Sequence, residues 1–154
     1  MSEQLTTRGG VRYKELHPIY KYMVTSVAKF DIPERYALDM SGRDGVVIRA
    51  RVGAVDVARI TSSAVWVYPK YCWDGASGPA IDTATFMDGS LLHDVLCQAI
   101  DDGRIDPANQ ERADAIMRAV NIKNGMTRMR AWVTWYAVRK YRERKVADYD
   151  WPRV

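Results

Sequence analysis

The chain has 154 residues, 47% hydrophobic and 27% charged, with a net charge of +4. That length holds one real hydrophobic core, and the composition is that of a globular protein rather than a disordered or fibrous one. No run of about 18 apolar residues is present to span a bilayer. The opening Met-Ser-Glu-Gln-Leu-Thr-Thr-Arg-Gly-Gly lacks the apolar segment of a secretory signal. Cys72 and Cys97 are the only cysteines; they fit no zinc spacing and are too few for a disulfide framework, so the expectation is two reduced thiols in a cytosolic product.

In chain order, Tyr20 to Phe30 is rich in β-branched and aromatic residues and reads as a strand. Gly45 to Ile60 alternates, with Val47, Arg49 and Arg51 set against Ile48, Ala50 and Val52. Ser63 to Trp73 is a clear strand candidate, with Trp66 and Tyr68 on one face and Val65 and Val67 on the other. Glycines 42, 45 and 53 mark turns. The stretch "WDGASGP" that follows Cys72 is a loop.

A helix is expected from Asp82 or Thr83 to about Asp101, interrupted near Gly89. Asp106 followed by Pro107 is a strong start signal for a second helix, which runs to about Val120. A third spans Met126 to about Lys145. The connection between the first two is about five residues, which favours an antiparallel pair. The fold expected is α+β in a single domain over 1–154: a small N-terminal antiparallel β part, β-rich over about 45–73, packed on a C-terminal three-helix part over about 82–145.

His93 and Asp94 stand together in the apolar run "LLHDVLC". At about 100° per residue, Leu92, Val95, Leu96 and Ala99 form the core stripe of the first helix, His93 lies at its edge beside Cys97 and Ile100, and Asp94 falls on the far side. In the second helix Ala113, Ile116, Met117 and Val120 make the stripe and Asp114 flanks it. An antiparallel pair therefore brings Asp114 to His93. A carboxylate on one ring nitrogen fixes the tautomer and leaves the other nitrogen as a base, which is the logic of a His-Asp dyad. The same pairing also reads as a polar lock between helices, as satisfied buried networks do. Asp94 is directed toward the loop of Asp74, Gly75, Ala76, Ser77 and Gly78, and a carboxylate with loop carbonyls suits calcium, a hard cation.

The cations Arg128, Arg130, Arg139, Lys140, Arg142 and Arg144 crowd the third helix, with Glu143 the only acid among them. Together with Trp132 and Trp135, the residues Arg128, Arg139 and Arg142 make a candidate partner surface, since aromatics and arginine are common at interfaces. The same charge suits nucleic acid or anionic lipid, and it also fits a solvated face with cations near a helix C-terminus.

"WDGASGP", "LLHDVLC", "RADAIMRAV" and "WYAVR", spanning roughly Val65 to Arg139, resemble a phage and prophage family known as domain-of-unknown-function family 1353. The matching positions are Asp74, Gly75, Ala76, Ser77 and Pro79; His93, Asp94, Leu96 and Cys97; and Arg112, Ala113 and Asp114. The resemblance implies a phage or prophage structural or accessory protein, made in the host cytoplasm or carried in the virion, with other phage proteins as partners. A looser similarity in chemistry is to phospholipases A2. It implies a hydrolase of ester or amide bonds in which His93 is the base, Asp114 orients it, and Asp94 with Asp74 and its loop holds calcium. The departures are the missing disulfides, the short spacing from residue 93 to 114 and an unusual loop.

Overall fold

The computed structural model describes residues 6–8, 11–15, 22–50, 53–73 and 84–148. The fold is α+β, with antiparallel β structure in the N-terminal half and three helices in the C-terminal half. Among the described residues two four-stranded sheets form. The first runs β1 (Thr6–Arg8), β2 (Val11–Glu15), β3 (Tyr22–Val24), β8 (Cys72–Trp73). The second runs β4 (Ala28–Asp31), β7 (Ala64–Val67), β6 (Asp56–Ile60), β5 (Val46–Arg49).

The single strand expected over Tyr20 to Phe30 is instead two, β3 and β4, in different sheets. The chain bends at Ser26, and Val24 turns off to exchange backbone hydrogen bonds with Lys70 and Tyr71, both at 2.8 Å. β structure also begins earlier than about residue 45, at Thr6. The strand expected over Ser63 to Trp73 likewise divides into β7 and β8, in different sheets, but the alternation holds within it: Val65 and Val67 are fully buried while Trp66 and Tyr68 are half-buried, and in β5 Ile48 is buried between half-buried Val47 and exposed Arg49. Gly53 (φ 81°) and Ala54 (φ 48°) turn the β5–β6 hairpin in the left-handed region that suits tight hairpin turns. Gly45, by contrast, leads directly into β5 without a positive φ.

The helices are α1 (Met87–Asp101), α2 (Gln110–Lys123) and α3 (Arg128–Asp148). α1 starts later than expected, and residues 81–83 lie outside the described ones. It runs unbroken through Gly89, whose role is close approach: a Cβ there would fall 2.0 Å from Asn121 Oδ1 of α2. Asp106 caps as expected, accepting from the Ala108 N–H at 2.7 Å, but it caps a short 3-10 turn over Pro107–Asn109 before α2 proper. The pairs 88/124, 89/121, 93/114 and 97/110 show that α1 and α2 run antiparallel.

Leu91, Leu92, Val95, Leu96 and Ala99 of α1 and Ala113 and Ile116 of α2 join the strands in one buried core. A second core, of Phe86, Met117, Met126, Ala131 and Val138, seats α3. Asn109, fully buried, fastens the helix corner to the β part. Its side-chain oxygen accepts from the Asp39 N–H and its amide donates to the Asp39 carbonyl, each at 2.9 Å.

Candidate functional site

The helical phase that places His93 at the edge of the α1 core stripe brings it onto Asp114. Nε2 lies 2.7 Å from Asp114 Oδ1, with the His side chain 12% exposed and the Asp side chain 2%. Two residues that the sequence reading left out of the site complete the cluster. Gln110 donates from Nε2 to Asp114 Oδ1 at 2.9 Å and to Cys97 Sγ at 3.5 Å. Cys97 Sγ lies 3.7 Å from both His93 ring nitrogens. Their spacing carried a signal, since Cys97 is one helical turn after His93 and Gln110 one turn before Asp114, so both sit on the faces that meet.

Burial disfavours the imidazolium, but the Cys97 sulfur and the Asp114 carboxylate outweigh it and raise the His93 pKa to about 10. The pairing therefore favours the protonated ring, with a donor on each nitrogen and one aimed at Asp114. A general base works best with a pKa near the working pH, so this ring binds a carboxylate well and accepts a proton poorly.

Asp94 does lie on the other side of α1. The hydroxyl of Tyr71, itself 3% exposed, donates to Asp94 Oδ2 at 2.8 Å and sits 2.9 Å from Gln98 Oε1. Burial first, and the Asp94 charge second, push the Tyr71 pKa well above its usual value, which keeps the hydroxyl a donor. Asp74 and the loop of Gly75, Ala76, Ser77 and Gly78 lie outside the described residues. Among the described residues no group of three or more His, Cys, Asp and Glu side chains is placed to hold a metal ion.

Trp73 ends the β part against α1, with Nε1 donating to Ser90 Oγ at 3.2 Å. Farther along the α1–α2 pair, Asp88 is 3% exposed. Its Oδ2 accepts from Asn124 at 3.0 Å, while Oδ1 has no hydrogen-bond partner. Burial outweighs Asn124 and the nearby Val11 N–H and lifts the Asp88 pKa to about 6.

The five surface residues of α3 divide. Trp132 is 49% exposed and Arg128 is exposed at the start of the helix. Trp135 turns inward onto the second core. Arg139 reaches Glu111 at 3.2 Å. Arg142 clamps Asp101 with both guanidinium nitrogens, one pair at 3.0 Å, and so ties α3 to the end of α1. The outward face of α3 is made instead by Met129, Trp132, Val133 and Tyr136, at the i, i+3, i+4, i+7 spacing of one helical stripe. Trp132 and Tyr136 stack with centroids 5.7 Å apart.

No protein-family model, no curated protein and no solved structure matches this chain. Among the described residues no helix is long and apolar enough to cross a membrane.

Proposed function

We propose that the chain is a phage- or prophage-encoded accessory protein that docks another protein through the outer face of α3. In this reading the His93–Asp114–Gln110–Cys97 cluster locks the helix pair that carries α3. One observation carries the proposal: Met129, Val133, Trp132 and Tyr136 are 79, 52, 49 and 47% exposed on a single stripe. Contiguous exposed apolar surface marks interaction sites, and Trp and Tyr are the residues that concentrate binding energy. Arg130 at one end and Lys140, 5.8 Å from the Tyr136 ring, at the other call for an acidic rim on the partner. The phage assignment rests on the motifs around Asp74, His93 and Asp114.

The test is affinity capture from a producing lysate with the wild-type chain and with a Trp132→Glu/Tyr136→Glu variant of unchanged melting temperature, each followed by mass spectrometry. A phage protein held by the first and released by the second is the expected result. Equal retention by both, or capture of none, would refute the reading.

A second reading has one observation in its favour. Asp114 holds Nε2, which leaves Nδ1 as the nitrogen a hydrolase would use, as in the phospholipase A2 resemblance. It predicts that His93→Ala abolishes ester or amide hydrolysis while the melting temperature stays put. The locking role predicts a loss of stability of about 1–3 kcal/mol instead.

A further inference from the structure

A cleft of about 570 Å³ opens between α2 and α3, away from the stripe of Trp132 and Tyr136. Arg35, Arg118, Arg128 and Arg139 line it together with Glu111 and Trp135. Four guanidiniums therefore share one cleft with one carboxylate, and that carboxylate is taken by Arg139 at 3.2 Å.

Arg35 and Arg118 lie against aromatic rings, and Arg139 lies against a ring as well as pairing with Glu111. Arg118 and Arg139 lie 5.8 and 5.4 Å from the Trp135 ring centroid, and Arg35 lies 4.9 Å from that of Tyr36. Cation–π contacts position a guanidinium without neutralising it, so its donors stay available and the positive field of the cleft persists. Like charges gathered in this way repel one another until an anion enters. The planar guanidinium fork matches the oxygens of phosphate better than any other side chain does. Arg128 also opens α3, where the helix dipole adds to the attraction for anions.

The cleft is also long. Arg128 and Arg139 are eleven residues apart on α3, which at 1.5 Å per residue is about 16 Å. Backbone positions spread along the cleft in this way suit a chain of phosphates better than a single one.

We propose that this cleft binds successive phosphates of a single-stranded nucleic acid. The site is distinct from the protein-docking stripe, so it stands or falls separately from that reading. A positively charged groove that tracks the backbone without reading bases is the usual design for such ligands.

The experiment is fluorescence anisotropy with a labelled ten-residue oligothymidylate. It uses the full chain at about 50 and about 200 mM salt. Variants are Arg118→Ala, Arg128→Ala and, as a control of equal charge change outside the cleft, Arg104→Ala. We expect wild-type binding that weakens with salt. Arg118→Ala and Arg128→Ala should each reduce affinity at least about 5-fold and flatten the salt dependence, as loss of a phosphate contact does, and Arg104→Ala should leave both unchanged. Arg128 is exposed at the helix start, so its variant reads out binding rather than folding. Absence of wild-type binding at the lower salt would overturn the proposal. So would an Arg104→Ala loss equal to the others, or displacement of the oligonucleotide by an equal concentration of deca-glutamate.

Discussion

Replacing Asp114 by Asn keeps the shape of the side chain and removes its charge. Two donors feel the change: His93 at 2.7 Å and the Gln110 amide at 2.9 Å, both on Oδ1 of a side chain only 2% exposed. A hydrogen bond to a charged buried group contributes about 1.5–3 kcal/mol, and breaking a buried ion pair by removing one partner costs about 3–5 kcal/mol. His93 relieves part of the second figure by giving up its proton, so the expected loss is about 2–3 kcal/mol at pH 6.

The pH dependence is sharper than the magnitude. The folded-state pKa of about 10 exceeds the ordinary value of 6.5. The folded protein thus holds a proton that the unfolded chain releases. The resulting stabilisation is complete below about pH 6.5, declines as pH rises, and is gone above about pH 10. Its slope is at most about 1.4 kcal/mol per pH unit. Urea unfolding at pH 6, 7.5 and 9 measures it. The wild type should lose stability across that series and Asp114→Asn should lose less, the part of the shift due to Cys97 remaining. A variant within about 0.5 kcal/mol of wild type at pH 6, or parallel slopes for the two proteins, would refute the lock.

Four further substitutions probe the helix pair and its contact with the β part. Gly89→Ala should lower the melting temperature by the equivalent of about 1–3 kcal/mol, although alanine is the better helix former, because its Cβ would overlap Asn121 Oδ1 at 2.0 Å. Asn121→Ala in the same chain should recover part of the loss. Asp88→Asn should raise stability at pH 7 by about 1–2 kcal/mol. Burial lifts the Asp88 pKa from 3.8 to about 6, so ionisation penalises the folded state above pH 6 and the advantage fades in urea titrations as pH falls toward 3.8. Tyr71→Phe removes the hydroxyl that Asp94 and Gln98 share and should cost about 1–2 kcal/mol by urea midpoint.

The helix pair was legible because one period governs it. Apolar residues at 92, 95, 96 and 99 fix the phase of α1, and those at 113, 116 and 117 fix α2, which is enough to bring His93 and Asp114 together. The partner of Asp94 was not legible, because Tyr71 arrives from the β part by tertiary packing, 23 residues away, and no helical spacing encodes that. The division of the Tyr20–Phe30 segment was hidden for a similar reason. β propensity runs through Thr25, and only the competing pairing of Val24 with Lys70 and Tyr71 breaks the strand. In α3 the aromatics fall on both sides, Trp135 inward and Trp132 with Tyr136 outward, so the pattern alone gave no inside and outside.

The two polar ties of the helix corner also differ in when they can form. His93 and Asp114 are separated by 21 residues, and the helices bearing them join through a short connection, so closing that loop is inexpensive. The amide of Asn109 grips both sides of the Asp39 peptide across a separation of 70 residues. Contacts that distant are slow to assemble. Asn109→Ala should accordingly speed unfolding in stopped-flow denaturant jumps while leaving the refolding rate nearly unchanged. A refolding rate that falls as much as stability does would place Asp39 in the nucleus instead. On this ordering, the helical hairpin is the early scaffold, and the Asn109 amide is a late latch that joins the shared core in holding the β part to it.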